Sequence, residues 1–294
     1  MGALAPYLVS VLNGLAIGFL LFILAVGLSL VFGMMDVLNL AHGALFLTGA
    51  YIASALTGGG PSWGGFLGAL AVAAVVGLLA GGALSAMTEP LRRRSHLDQA
   101  LLTLGIAFVV AEVLIIRFGD DPLRVNAPPG LDDPVPLLGA TYPTYRLALI
   151  GIGAAIALVV YLVVERTRLG ALVRATVADR EMVAALGVDN RLVKTGVFAV
   201  GAMLAAVAGV LGGPIYGASV GLDVVVLILA LIVVVIGGLG SVKGALVGAL
   251  VIGQIESVGR ALFPELASFI LFGALAIVLV LRPQGLFGTR TGAA

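Results

Sequence analysis

Cysteine is absent from the 294 residues, and charge is scarce: 16 Lys and Arg with 15 Asp and Glu make up 11% of the chain. Without cysteine there is no disulfide, thiolate nucleophile or Cys–metal site. The two histidines, His42 and His96, do not stand at HExxH spacing, which excludes a zinc-hydrolase helix. Ser10, Ser29 and Ser54 are scattered, and no GxSxG surrounds any of them. No nucleophile–base pair is visible, so the chain is read as not an enzyme and as holding no metal or cofactor of its own. A net charge of +1 names no acidic partner and gives no footprint for nucleic acid.

What fills the chain instead is apolar. Hydrophobic residues are 61% and mean hydropathy is +1.20, against about 45–50% apolar and about 25% charged in a soluble domain. Tyr7–Phe32 and Trp63–Met87 carry no charge, and about 20 apolar residues suffice to span a bilayer. The runs do not alternate as the strands of an outer-membrane barrel do. The fold class is therefore all-α, a polytopic transmembrane bundle of about eight or nine segments. They are placed near Tyr7–Gly33, Leu40–Thr57, Trp63–Ala86, Ala100–Ile116, Leu147–Val164, Thr195–Gly213, Val224–Ile236, Gly244–Ser257 and Leu266–Leu281. Val224–Ile236 and Gly244–Ser257 are short, and read either as tilted helices or as a re-entrant pair.

Lys and Arg set the orientation. Arg92, Arg93, Arg94, Arg166, Arg168, Arg174, Arg180, Arg191, Lys194, Lys243, Arg282 and Arg290 fall in one set of loops, and Arg117, Arg124, Arg146 and Arg260 in the other. The first set is assigned to the cytoplasm, so the N-terminus lies outside and the C-terminus inside. No basic region precedes the first apolar run, so that helix is expected to be retained. One membrane domain, 1–294, is expected, with a cytoplasmic loop at 165–194 and an external loop at 117–146, the latter rich in Pro, Gly and Asp.

Two weak points interrupt the apolar runs. In "GMMDVLNLAHG", Asp36, Asn39 and His42 either meet water in a tight inner loop or break a helix beside a polar path. In "GGLGSVKG", the glycines Gly237, Gly238 and Gly240 separate two short segments, a pattern that points to a transporter site. The spacing does not match a phosphate loop, and no strand precedes it. Asn13, Glu112, Asp223, Gln254 and Glu256 lie near outer helix ends. They are solvated at the interface or form an acidic vestibule, with Glu112, one turn inside its span, the strongest candidate.

The stretch "RLGALVRATVADREMVAALGVDNRLVKTGVFAV" predicts a helix over about 177–186 outside the bilayer. Thr176 with Asp179 forms a T-x-x-D cap pattern, Gly187 supplies the stop, and Asp189 or Asn190 caps the next span. Ala178, Met182, Ala185 and Leu186 share one face, with Asp179, Arg180 and Glu181 opposite. Such a helix either rests on lipid headgroups or docks into a groove on a cytoplasmic partner.

"RATVADREMVAALGVD" resembles the cytoplasmic coupling loop of ABC-importer permeases. "GLSLVFGMMDVLNLAHGALFLTGAY", "GGLGSVKGALVG" and "LRPQGLFG" resemble the branched-chain amino acid permease family, in its shorter, H-type subunit, over nearly the whole chain. The resemblance implies a permease of the branched-chain amino acid/ribose type in the inner membrane. It implies a second, homologous permease as heterodimer partner, two cytoplasmic ATPases that bind ATP and Mg, and an external solute-binding protein. Ala178, Asp179, Met182, Ala185, Leu186 and Gly187 would then face an ATPase. Asp36, Asn39, His42, Glu112, Gly237, Gly238 and Gly240 would border the substrate path. Related permeases for urea or short amides share these motifs, and an ion-coupled carrier is the rival from outside the family.

Overall fold

The computed structural model describes residues 5–35, 39–93, 95–137, 140–282 and 284–287. Among them are eleven α-helices: α1 (Ala5–Met35), α2 (His42–Thr57), α3 (Trp63–Thr88), α4 (His96–Phe118), α5 (Thr144–Arg166), α6 (Arg168–Ala178), α7 (Arg180–Ala185), α8 (Asn190–Tyr216), α9 (Leu222–Gly237), α10 (Val242–Leu262) and α11 (Ala267–Leu281). A hairpin pairs β1 (Pro134–Leu137) with β2 (Ala140–Pro143) between α4 and α5. Six helices are long and apolar enough to cross a membrane: α1, α3, α4, α5, α8 and α10. The chain is thus a multi-pass helical membrane protein.

α1 and α8 form the centre. In each, 72% of the apolar window is buried, against 17–28% for α3, α4 and α5, which make an outer ring. Lipid offers no hydrophobic drive between helices, so close backbone approach has to hold the centre together. Gly27 and Gly201 meet at the α1–α8 crossing, where a Cβ on Gly27 would lie 2.5 Å from the Gly201 Cα. α3 reaches α8 in the same way, at Gly77 against Met203.

The two ends of the bundle differ. At the hairpin end, segment 119–133 is stitched down. The Asn126 Nδ2 donates to the Thr57 carbonyl at 2.7 Å, Ser54 Oγ to the Arg124 carbonyl at 3.1 Å, and Leu123 bridges Ala218. The Tyr145 hydroxyl donates to the Leu211 carbonyl at 2.7 Å. At the opposite end lie α6 and α7, with the Lys194–Glu89 ion pair (2.8 Å) and the Ser85–Thr195 hydroxyl pair (2.9 Å) joining α3 to the start of α8.

The starts of α4 and α8 lie four and five residues before the sequence expectation, and two further elements also differ. α10 runs from Val242 to Leu262, not 244–257, and is long enough to span. Its polar residues dilute hydropathy but bond to α1: Gln254 Nε2 donates to the Val11 carbonyl at 3.0 Å and Ser257 Oγ to the Ser10 carbonyl at 2.7 Å. The helix expected over 177–186 is instead two, because Asp179 takes an extended backbone and its carboxylate accepts the Met182 N–H at 2.9 Å, starting α7 afresh. Thr176 is not the cap. Its hydroxyl donates back to the Leu172 carbonyl at 2.9 Å, inside α6. Gly187, at φ +83, does end α7, and Asp189 accepts from the Arg191 N–H at the start of α8.

Candidate functional site

The α6–α7 end carries the first candidate. Val183 is buried and anchors α7 to the bundle. Ala178, Asp179, Ala185 and Gly187 are exposed, and Met182 and Leu186 are 60% and 76% exposed. The apolar face read from the sequence therefore stands uncovered on this chain. It is also linked inward. Val177, next to Ala178, sets its Cγ1 against Gly240, where a Cβ would lie 3.0 Å from that methyl and 3.3 Å from the Gly33 Cα. Gly240 has φ +76, which a side chain rarely adopts, and its N–H donates to the Ser29 carbonyl at 3.2 Å. Glu165 pairs with Arg174 at 3.6 Å and with Lys243 at 3.7 Å, tying α5, α6 and α10. α6 thus touches the end of α1 and the α9–α10 turn directly.

The second candidate is the interruption between α1 and α2. The His42 Nε2 donates to the Leu24 carbonyl at 2.9 Å. α1 continues eleven residues beyond Leu24 to Met35, a rise of about 16 Å. The first residue of α2 therefore bonds to α1 about three helical turns before that helix ends. Asn39 is buried, and its Oδ1 accepts the Ala41 N–H at 3.2 Å. The Leu40 N–H donates to Thr103 Oγ1 of α4 at 3.1 Å, so the N–H groups of Leu40 and Ala41 are both satisfied by side chains. With Nε2 as donor, His42 Nδ1 is an acceptor, and it has no partner among the described residues. Asp36 lies outside the described residues.

The remaining expected path residues do not join this point. Glu112 is exposed on the outer helix α4. Gly237 packs on the backbone of Gly244, and Gly238 receives Gly285, where a Cβ would lie 2.6 Å from the Gly238 Cα. With Gly240 they make a backbone knot beneath α6–α7. The polar groups at the hairpin end are mostly internal stitches. Asn13 accepts from Arg146, Gln254 bonds to α1, and Glu256 pairs with Arg260 at 2.6 Å. Thr103, and the Lys194–Glu89 pair, were not singled out in the sequence. Residues 89 and 194 are too far apart for any spacing rule, whereas Glu256 and Arg260 stand at the i, i+4 spacing of a helical ion pair.

A family model described as the branched-chain amino acid transport system permease component matches residues 10–280. The high-affinity branched-chain amino acid transport system permease protein BraD of Pseudomonas aeruginosa is 29% identical over 294 residues, covering 96% of both chains. LivH of Salmonella typhimurium and LivH of Escherichia coli, which carry the same description, are each 27% identical over 301 residues, again covering 96% of both chains. Among solved structures, PsaBC from Streptococcus pneumoniae in complex with Fab aligns with a TM-score of 0.47 at 14% identity, over 92% of this chain and 89% of that one. At that likeness no residue role is carried across.

Proposed function

Since the chain belongs to the branched-chain amino acid transport system permease family, we propose that it is one transmembrane subunit of an ATP-driven importer for branched-chain or other apolar amino acids. A second, homologous permease lies beside it, two ATPases below, and a solute-binding protein above. ATP and Mg are held on the ATPases. The α6–α7 end faces the cytoplasm, in line with its cluster of Arg and Lys, which sets the N-terminus outside and the C-terminus inside.

One observation carries this reading. The uncovered face of α7 continues through Val177 into the Gly33–Gly240 contact. A partner seated on Met182 and Leu186 moves a rigid segment that bears on the central helix and on the α9–α10 turn. Packed helices respond to such a push by sliding or rocking between discrete arrangements. The break before α2 supplies neutral polar groups, Asn39 and His42. Alternating access follows if the push opens and closes the path beside them.

The test is Met182→Asp in vesicles that hold the chain with its partner subunits. A charge placed at the centre of a docking face costs on the order of 2 kcal/mol or more, about a thirtyfold loss of ATPase association. Leucine uptake is expected to collapse while the chain still inserts and the ATPases still hydrolyse ATP. Undiminished uptake, or uptake by this chain alone without ATP, would remove the reading, the latter in favour of an ion-coupled carrier.

A further inference from the structure

At the hairpin end, α9, α10 and α11 border an open cavity of about 220 Å³. Val225, Ile228 and Leu229 of α9 and Leu271 and Phe272 of α11 form an apolar wall, and Glu256 and Arg260 of α10 supply the polar side. Glu256 is only 8% exposed. Its Oε1 accepts from Arg260 Nη2 at 2.6 Å, whereas Oε2 is buried with no hydrogen-bond partner among the described residues. Leaving a buried acceptor unmade is costly, and more so for a carboxylate. Structural ion pairs in low dielectric persist when the remaining lone pairs are satisfied, and here they are not. Arg260 is exposed, its side chain 69% accessible at the cavity edge, and it presents a fork of donors that suits a carboxylate.

The cavity therefore offers an anion and a cation side by side against a small apolar wall. A cation alone would leave Arg260 to compete for Glu256, and an anion alone would leave Oε2 bare. A zwitterion satisfies both. The volume lies below the about 300–1,000 Å³ of pockets for drug-sized ligands, as suits a free amino acid. We propose that this cavity is an amino-acid subsite. Arg260 swings outward to take the ligand carboxylate and so uncovers the Glu256 carboxylate for the ligand ammonium, while the branched aliphatic side chain lies against Ile228, Leu229 and Leu271. The choice of amino acid as ligand rests on the importer reading; the cavity chemistry does not. A zwitterionic phospholipid headgroup presents the same two charges, and the experiment separates the two sources.

The chain has no cysteine, so Ile228→Cys places a single reporter in the cavity wall. The assembled transporter carrying it is placed in nanodiscs, and the rate of thiol alkylation is read with and without L-leucine. Leucine slows labelling by about 1 + [leucine]/Kd, on the order of tenfold near ten times Kd. 3-Methylbutylamine, which lacks the carboxylate, and 4-methylpentanoate, which lacks the ammonium, protect far less. Glu256→Gln in the reporter background abolishes protection and leaves the unprotected rate unchanged, which shows that the wall is still folded. Equal protection by all three compounds overturns the proposal, because it means plain apolar occlusion. Labelling that responds to phosphatidylethanolamine content and not to leucine overturns it in favour of a lipid site. ATP-driven leucine uptake is measured on the same preparation. Uptake without protection sinks the subsite and leaves the importer standing; protection without uptake keeps the subsite and removes the importer.

Discussion

Replacing Gly27 by Ala tests what holds the centre of the bundle. A Cβ at Gly27 would lie 2.5 Å from the Gly201 Cα and 2.8 Å from its carbonyl oxygen. Carbon pairs rest at about 3.5–4.0 Å, so α1 and α8 must separate by about 1 Å where both are buried. Overpacking of this kind costs about 1–3 kcal/mol, and the helix propensity of Ala over Gly returns up to about 1 kcal/mol. The net loss is about 0–2 kcal/mol. The reverse change is milder. A Cβ on Gly201 meets Gly27 at 3.2 Å, a shortfall of a few tenths of an ångström that propensity offsets to near zero. Gly196 of the same helix has nothing within 4 Å of its added Cβ, so Gly196→Ala is expected to stabilise by up to about 1 kcal/mol. SDS titration of the purified chain in mixed micelles, followed by circular dichroism, ranks the three variants. The expected order of stability is Gly196→Ala, then Gly201→Ala, then Gly27→Ala. A Gly27→Ala chain as stable as Gly196→Ala would refute the claim that glycine contact sets the α1–α8 distance.

Two further outcomes follow from the same contacts. Gly240→Ala combines a left-handed backbone, costing about 1–2 kcal/mol for a side chain, with a close approach to Val177 and Gly33; uptake per ATP hydrolysed should fall, while Gly82→Ala, where the added Cβ meets nothing within 4 Å, leaves it unchanged. His42→Leu removes one interhelical hydrogen bond, worth about 0.6 kcal/mol in membranes, so melting shifts by only about 1–2 °C while leucine uptake drops on the order of tenfold if His42 borders the path. A large melting shift with normal uptake would make His42 an anchor only.

Much of the architecture was legible because a bilayer punishes polar residues over a length of about 20 residues, and hydropathy reports that length directly. α1, α3 and α5 were readable for this reason. α10 reads as ending at Ser257 because Arg260 looks like a membrane edge, yet Arg260 bonds back to Glu256 while Gln254 and Ser257 bond to the α1 backbone. The exposed segment was found but its cap was misplaced. Thr176 and Asp179 both fit a helix start, and only the backbone shows that Asp179 wins while Thr176 bonds backward. The glycines were the least legible part. The chain holds 42 of them, and no spacing tells that Gly33 seeks Gly240, or that Gly237 packs on Gly244.

The far end of α9 has a consequence for how the protein is made. Its closing carbonyls, on Ile236 and Gly237, are taken by the N–H groups of Leu286 and Phe287 at 2.8 and 3.0 Å. Those donors lie fifty residues downstream, beyond two further helices. During synthesis α9 therefore enters the membrane with one rim open, and water or the insertion machinery must shelter it until the trailing stretch arrives. A nascent chain halted before Leu286 should be recognised by quality-control proteases at that rim, even though every helix it needs is already in place.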